Sequence, residues 1–108
     1  MTIVITGAAA DDIAEGYVFY ESQSQGLGDY FEASIFADLR SLVIYAGSHE
    51  VHFEIYYRKI ASRFPYAIYY TVNDGVVKIY AIADTRRDPI RIDKRLDKSG
   101  TSVKSDVK

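Results

Sequence analysis

The feature that most constrains the fold of this chain is the dipeptide Asp74-Gly75, which stands between two runs rich in aromatic and β-branched residues. Aspartate and glycine accept the positive φ that a two-residue hairpin turn requires. The pair therefore predicts two antiparallel strands, the first of which begins after Pro65, because proline cannot donate a ladder hydrogen bond. A two-residue loop sets three cross-strand neighbours: Val72 with Val77, Tyr70 with Ile79, and Ile68 with Ala81.

This register also predicts which face of the hairpin is buried. Successive side chains of a strand point to opposite faces, so Tyr66 and Tyr70 share a face with Ile68 and are expected in the core. The other face is expected to be too polar for a core, and it carries Tyr69, Thr71, Lys78, Tyr80, Asp84 and Arg86.

The N-terminal half predicts a short strand, Thr2 to Thr6, followed by a helix over residues 8 to about 23. Apolar residues recur there at helical spacing, and Asp11 and Asp12 suit the positive first turn of a helix. The expected buried stripe of this helix is Ile13, Tyr17 and Tyr20.

A second helix follows a turn that contains two glycines. Asp29 is suited to cap its beginning, and Gly47 is suited to end it. The short connection predicts that the two helices are antiparallel. The expected stripe of the second helix is Phe31, Ile35, Leu39 and Leu42.

After His49 the apolar period becomes two, which predicts one long strand over residues 51–58. Residues 90–96 fit either a short helix or an edge segment. Residues 97–108 are polar and are expected to form a flexible tail. A single domain is therefore expected over residues 1–96.

Composition limits the classes of function. The chain has 108 residues, a length that suits one domain. It contains no cysteine, which excludes disulfides and thiolate metal sites, and no apolar run approaches the ~20 residues that cross a bilayer. No metal-binding or cofactor motif is present, so we expect a cytoplasmic protein that binds no membrane and needs no metal or cofactor.

Charge is divided unevenly along the chain. Residues 1–57 hold nine acids and one base, a balance of −8, whereas residues 58–108 hold twelve bases and six acids, a balance of +6. Two interpretations stay open: the C-terminal half presents a positive patch to an acidic or phosphate-bearing partner, or the two halves neutralise each other within one monomer.

Several short motifs combine arginine with aromatic residues. They are Arg63-Phe64-Pro65-Tyr66, Tyr69-Tyr70 and Arg86-Arg87-Asp88-Pro89, and Gln25-Gly26-Leu27-Gly28 stands between the two predicted helices. These motifs and the predicted strand and helices follow one another along about residues 2 to 96. In that arrangement the chain resembles the RelE/ParE superfamily, the toxins of type II toxin-antitoxin systems of the plasmid-stabilisation type. The resemblance implies an α+β fold: a short N-terminal strand and an antiparallel two-helix hairpin packed on one face of a small twisted antiparallel β-sheet.

The resemblance also implies partners. These are a cognate antitoxin, operator DNA bound through that antitoxin, and a target that is DNA gyrase in ParE-like members or ribosome-bound messenger RNA in RelE-like members. Relatives of this kind often carry histidine where this chain has Asp84 and tryptophan where it has Ile92. These departures favour gyrase-type binding over the alternative of RNA cleavage, and a non-toxic partner-binding module is a further alternative.

Arginine suits phosphate binding because its planar guanidinium stays charged and binds in bidentate fashion. The expected target-binding or phosphate-binding set is Arg58, Arg63, Tyr69, Arg86 and Arg87. RNA cleavage also needs an acid and a base. The candidates for catalysis are Arg63, Arg86, Tyr80 and Asp84, with Glu54 as a second possible base, although Arg86 is expected to lower the pKa of Asp84. His49 and His52 lie in no recognisable catalytic or metal-binding spacing.

Overall fold

A computed structural model describes residues 1–52, 55–87 and 92–96. Two helices follow an N-terminal strand, and four further strands complete the sheet before a short helical segment at residues 92–96. The elements are β1 (Thr2–Ile5), α1 (Gly7–Gln23), α2 (Leu27–Tyr45), β2 (Glu50–His52), β3 (Tyr56–Ile60), β4 (Tyr66–Asn73) and β5 (Val76–Asp84). The predicted α+β class, with a helical pair on a small sheet, is confirmed. The predicted tail, residues 97–108, and Glu54 lie outside the described residues.

The five strands form one sheet in the order β1-β5-β4-β3-β2. Neighbours β2 to β5 are antiparallel, but β1 pairs with β5 in parallel, so the sheet is mixed and not wholly antiparallel. The prediction of a single strand over residues 51–58 is wrong, because β2 and β3 are two short strands that pair with each other. Within the described residues, no helix is long and apolar enough to span a membrane.

The predicted hairpin between β4 and β5 is present. Asp74 and Gly75 form its loop with φ of 50° and 75°, and the pairs Val72 with Val77 and Tyr70 with Ile79 are as predicted. The third pair is wrong, because a register shift between Tyr69 and Tyr70 leaves Tyr80 as an extra residue on β5. Beyond this bulge, Ala81 pairs with Tyr69 and Ile82 pairs with Ile68.

The bulge changes which residues face the helices. Each extra residue in a strand inverts the alternation of side chains after it. Ile82 therefore joins the core under the helices, and Asp84 is paired with Tyr66, which belongs to the same core. The expectation that Asp84 and Arg86 share the opposite face with Tyr69 is wrong for this reason.

The helices cover one face of the sheet with a tightly packed core. The α2 stripe is buried as predicted, and Tyr66 and Tyr70 are buried beneath it. Packing between the helices depends on Gly16, because a Cβ atom there would lie 2.4 Å from the ring of Phe31. In α1 the buried residues are Ala9, Ile13, Gly16 and Tyr20, whereas Tyr17 is only partly buried.

The helix beginnings differ from the prediction. Thr6 caps α1 by accepting a hydrogen bond from the Ala9 N–H (3.2 Å), so Asp11 and Asp12 lie beyond the first turn. At α2 the cap residue is Gly26, with φ of 89°, and Asp29 lies in the first turn instead of capping it.

A carboxylate from the end of α1 supplies the missing cap of α2. Glu21 accepts hydrogen bonds from the N–H groups of Gly26 (3.1 Å) and Gly28 (2.9 Å). Such acceptors satisfy donors that a helix N-terminus leaves without partners.

The opposite face of the sheet carries a second, smaller core, contrary to the prediction that it is too polar. Tyr69 is only 4% exposed, and Leu96 of the segment 92–96 covers it together with its neighbours. The Tyr56 hydroxyl donates to the Leu96 carbonyl (3.3 Å). Tyrosines can form such a core because their rings are apolar and their hydroxyls find partners. The buried members are Tyr56, Ala67, Tyr69, Ala81 and Leu96.

Candidate functional site

A groove of about 320 Å³ runs along the end of β5, between α1 and the segment 92–96. We call it the edge groove. Its lining includes three of the predicted target-binding residues, Arg58, Tyr69 and Arg87, together with Asp12 and Arg95. The structure therefore brings part of the predicted set to one place.

Arg58 and Tyr69 are neighbours on adjacent strands, β3 and β4. Arg58 Nε donates to the Tyr69 hydroxyl (3.0 Å), and the guanidinium carbon lies 5.9 Å from the centroid of the Tyr69 ring. The hydrogen bond and the ring contact orient the guanidinium. Arg87 lies exposed in the same groove, just after the end of β5. Neither Arg58 nor Arg87 has an ion-pair partner among the described residues.

Arg86 has different surroundings. Its Nε and Nη2 atoms donate to the two carboxylate oxygens of Asp84 (2.9 and 2.8 Å), and Nη2 also donates to the Tyr20 hydroxyl on α1 (3.3 Å). The hydrogen bond from Arg86 is the main reason that the pKa of Asp84 is lowered, as the sequence predicted. Asp84 is therefore an ionised partner of Arg86 and not a proton acceptor tuned to neutral pH.

Arg63 lies on the loop between β3 and β4 and contacts α2 through a tyrosine. Its Nη1 donates to the Tyr30 hydroxyl (3.4 Å), and its guanidinium carbon lies 6.0 Å from the centroid of that ring. The loop is tied to α2 because Asp38, which is 5% exposed, accepts hydrogen bonds from the Ser62 N–H (3.0 Å) and hydroxyl. Arg63 forms no ion pair with a carboxylate among the described residues.

Arg63 and Arg86 belong to a second region, which we call the aromatic patch. Phe64 lies between the Tyr20 and Tyr30 rings, with centroid distances of 4.8 and 5.5 Å. The patch consists of Phe19, Tyr20, Tyr30, Arg63, Phe64 and Arg86. The predicted arginines are thus divided between two regions.

Tyr80, the remaining candidate for catalysis, lies on the second core. Its ring makes an edge contact with Tyr56 (centroids 5.2 Å apart), and Lys78 Nζ lies 5.2 Å from its centroid. Because Asp84 faces the helices, Tyr80 and Asp84 are on opposite faces of the sheet. They do not form an acid-base pair.

Among the groove residues that had no predicted role there, Asp12 and Arg95 form an ion pair. Asp12 accepts hydrogen bonds from Arg95 Nη1 and Nη2 (2.9 and 2.8 Å) and from the Ile82 N–H (2.8 Å). Arg95 Nη2 also donates to the Tyr80 carbonyl (2.7 Å), and the hydrogen bond to Asp12 raises the pKa of Arg95. No local sequence signal could have shown this contact, because the two residues are 83 positions apart.

His49, the histidine whose surroundings are described, makes a structural hydrogen bond. Its Nδ1 is hydrogen-bonded to the hydroxyl of the buried Tyr70, and the Gly47 N–H donates to the same hydroxyl. Burial, followed by the charge of Lys59, lowers the pKa of His49. In the described part of the chain, no group of three or more metal-ligating side chains is assembled.

Comparisons with known proteins identify the fold. No family model matches the chain, and no curated protein is significantly similar to it. A solved chain of the chromosomal ParDE toxin-antitoxin system from P. aeruginosa matches with a TM-score of 0.67 and 17% sequence identity, and the match covers 78% of this chain and 95% of that chain. The fold that the sequence resemblance implied is thereby confirmed. This chain has the RelE/ParE fold.

Proposed function

We propose that this protein is the toxin of a type II toxin-antitoxin pair, that it inhibits growth by binding an essential target, and that a cognate antitoxin neutralises it. DNA gyrase is the favoured target. The match to a ParDE structure supports the toxin role. In that role the protein acts in the cytoplasm, and the toxin-antitoxin complex binds operator DNA through the antitoxin.

The observation that carries the binding role is the pair of arginines in the edge groove. Arg58 is oriented by Tyr69, and Arg87 is exposed beside it. Unpaired cations in a concave surface attract anionic groups of a partner and favour its correct orientation. Arg58, Tyr69 and Arg87 are therefore the target-binding residues of this proposal, with Arg63 and Arg86 of the aromatic patch as secondary contacts.

The arrangement of the candidate acids and bases supports binding over RNA cleavage. Attack by a ribose hydroxyl needs a proton acceptor near the phosphate-binding cations. Asp84 is held by Arg86, and Tyr80 lies on the other face of the sheet. Burial raises the pKa of Tyr66, another groove residue, to about 12, so its hydroxyl stays protonated.

Inducible expression in bacteria tests the toxin role. Expression of the protein alone should arrest growth, and co-expression of the product of the adjacent small gene should restore it. The variant Arg58→Gln/Arg87→Gln should lose the arrest, because truncating hot-spot residues of an interface costs about 2 kcal/mol or more of binding. Arg40→Gln, which changes an exposed arginine on α2, is the matched control and should still arrest growth. Normal growth with folded wild-type protein would reject the toxin role.

The target is tested separately from toxicity. Purified protein should inhibit supercoiling by DNA gyrase and leave ribosome-bound messages intact. The alternative, RNA cleavage, is favoured by one observation, which is that Arg58 and Tyr69 present a cation and a hydroxyl side by side. Cut messages that disappear with Arg58→Gln would establish that alternative. Tight antitoxin binding without growth arrest would instead identify a non-toxic partner-binding module.

A further inference from the structure

The outer side of helix α2 carries a regularly spaced row of residues, which we call the α2 stripe. Its members are Asp29, Ala33, Phe36, Arg40 and Val43, separated alternately by four and three positions. This spacing keeps side chains on one face of a helix. Four of the five are exposed and Phe36 is partly buried, while the buried residues of α2 occupy other positions. The stripe therefore faces away from the core.

The C-terminal part of this outer side is apolar. Val43 and its neighbour Ile44 are 46% and 77% exposed, and Arg40 is the one charged residue among the exposed positions from Ala33 to Tyr45. The outer side of a surface helix is normally rich in charged residues, and contiguous exposed apolar surface is typical of protein interaction sites. This side of α2 is therefore suited to a protein partner.

We propose that two copies of this protein associate through the α2 stripe, with the two helices antiparallel. When the two-fold axis passes midway between positions 34 and 35, Asp29 of each copy lies opposite Arg40 of the other copy. Ala33 of each copy then lies opposite Phe36 of the other. Every contact occurs twice, because a two-fold interface joins the same surface of both copies.

The charges of the stripe favour this orientation. Arg40 is exposed and has no ion-pair partner among the described residues. Asp29 is exposed in the first turn of α2 and is hydrogen-bonded to the Tyr17 hydroxyl, and a carboxylate has further acceptor positions for a guanidinium. Parallel helices would instead place Arg40 beside Arg40 and Asp29 beside Asp29, where like charges repel each other.

The sizes of the side chains fit the same register. A small residue, Ala33, faces a large one, Phe36, and such alternation lets two helices pack closely. Val43 lies over the turn of the other copy at Gly26, where no atom is found within 4 Å of the Cβ position. Since α2 has 19 residues and is about 28 Å long, the contact is small, and we expect a dimer that dissociates on dilution.

This association does not depend on the proposed function. No residue of α2 lines the edge groove, so the dimer leaves Arg58 and Arg87 of both copies available to a target. Growth arrest therefore does not require the dimer, and Arg40→Gln should arrest growth even though it weakens the association. The experiments that follow use purified protein and are independent of toxicity.

Exchange of the two charges tests the orientation of the helices. Sedimentation equilibrium of the wild-type protein should give a mass that rises from monomer to dimer with protein concentration. Arg40→Glu should raise the dissociation constant at least about tenfold, because two attractive pairs become repulsive, and Asp29→Arg should do the same. An equimolar mixture of the two variants should restore association, because every charge then meets its opposite. Both positions are exposed, and circular dichroism verifies that each variant is folded.

Cross-linking tests the position of the axis. The chain contains no cysteine, so an introduced cysteine is its only thiol. Ala33→Cys brings the thiols of two copies close to the axis, and a short bismaleimide should join them. Ile44→Cys is the matched control, because it is exposed on the same helix but lies about 28 Å along the helix from its counterpart in the antiparallel pair. It should not be joined.

Several results would overturn the proposal. The wild-type protein could stay monomeric at every concentration, or Arg40→Glu could leave its dimer unchanged. Ile44→Cys could be joined as readily as Ala33→Cys, which would indicate parallel helices. Association through α2 that appears only when the antitoxin is added would assign this surface to the antitoxin and not to a second copy.

Discussion

The edge groove and the aromatic patch both hold arginines, and one arginine of the patch, Arg86, differs from those of the groove because it is paired with a carboxylate. In the aromatic patch, Arg63 lies against the Tyr30 ring, and Arg86 is held by Asp84 and Tyr20. In the edge groove, the partly buried Arg58 and the exposed Arg87 line the cavity without a described carboxylate partner. A paired arginine mainly fixes its surroundings, whereas an unpaired arginine in a groove is available to a partner. The comparison therefore separates Arg86, which is tied to Asp84, from Arg58 and Arg87, and it supports the proposal that the groove is the main binding surface. Arg63 contacts a tyrosine and no described carboxylate, as Arg58 does, and it remains a secondary contact in that proposal.

The two regions also rest on cores of different size. The aromatic patch rests on the large core between the helices and the sheet, where Phe31 contacts the rings of Tyr20, Phe64 and Tyr66. The groove rests on the edge of the sheet and on the smaller core that the segment 92–96 covers. We expect substitutions under the patch to change stability most, and substitutions in the groove to change binding most.

The largest expected effect on stability is at Gly16. A Cβ atom there would lie 2.4 Å from Phe31 Cε2, and Phe31 is completely buried. Because neighbouring rings prevent Phe31 from moving away, Gly16→Val should lower the free energy of unfolding by at least about 3 kcal/mol. Urea denaturation followed by circular dichroism measures this loss.

The matched control is Gly7→Val at the beginning of the same helix. No atom lies within 4 Å of the Cβ position at Gly7, so the cost should stay below about 1 kcal/mol. Similar losses for the two variants would show that the helix-covered core is no more tightly packed than the exposed end of α1.

A smaller loss is expected at Asp38, which ties the loop before β4 to α2. Asp38→Ala removes the acceptor of two hydrogen bonds from Ser62 and leaves one backbone N–H without its partner. Hydrogen bonds to a charged group commonly contribute 1.5 to 3 kcal/mol, so the loss should be about 2 kcal/mol by the same denaturation.

Ser62→Ala is the control for that prediction. It removes the hydroxyl but keeps the backbone bond to Asp38, and it should cost about half as much. If Asp38→Ala left stability unchanged, the loop that carries Arg63 would not depend on this contact.

The sequence predicts the regular parts of this fold because their causes are local. Asp74-Gly75 sets the hairpin loop, and the stripe of α2 follows from helical spacing. The bulge at Tyr80 has no such local cause, since no glycine or other turn residue marks it. This one extra residue moved Asp84 to the other face of the sheet.

The candidate site shows the same limit. The arginines could be chosen by residue type, but the difference between paired and unpaired arginines depends on contacts across the fold. The bond between Asp12 and Arg95 joins residues 83 positions apart, and only the folded chain places both at the edge of β5. The sequence therefore identifies the candidate arginines, and the structure shows which of them are paired with a carboxylate.

The smallest expected effect concerns pH and the Asp84–Arg86 pair of the aromatic patch. Arg86 lowers the pKa of Asp84 in the folded protein below its ordinary value of 3.8. The stabilisation is therefore fully present above about pH 4, and it is lost as the pH falls through the lowered folded pKa, because the carboxylate is then protonated in both states. Since Arg86 is largely exposed, we expect a contribution of only about 0.5 kcal/mol.

This contribution is measured as the difference in unfolding free energy between wild-type protein and Asp84→Asn. The wild type should be more stable at pH 7, and the advantage should shrink toward pH 2 and in 1 M salt, which screens exposed charges. Asp11→Asn, at an exposed position of α1, controls for the change in net charge. An advantage that grows as the pH falls would contradict the pairing, and Arg86 would then belong with the unpaired arginines of the groove.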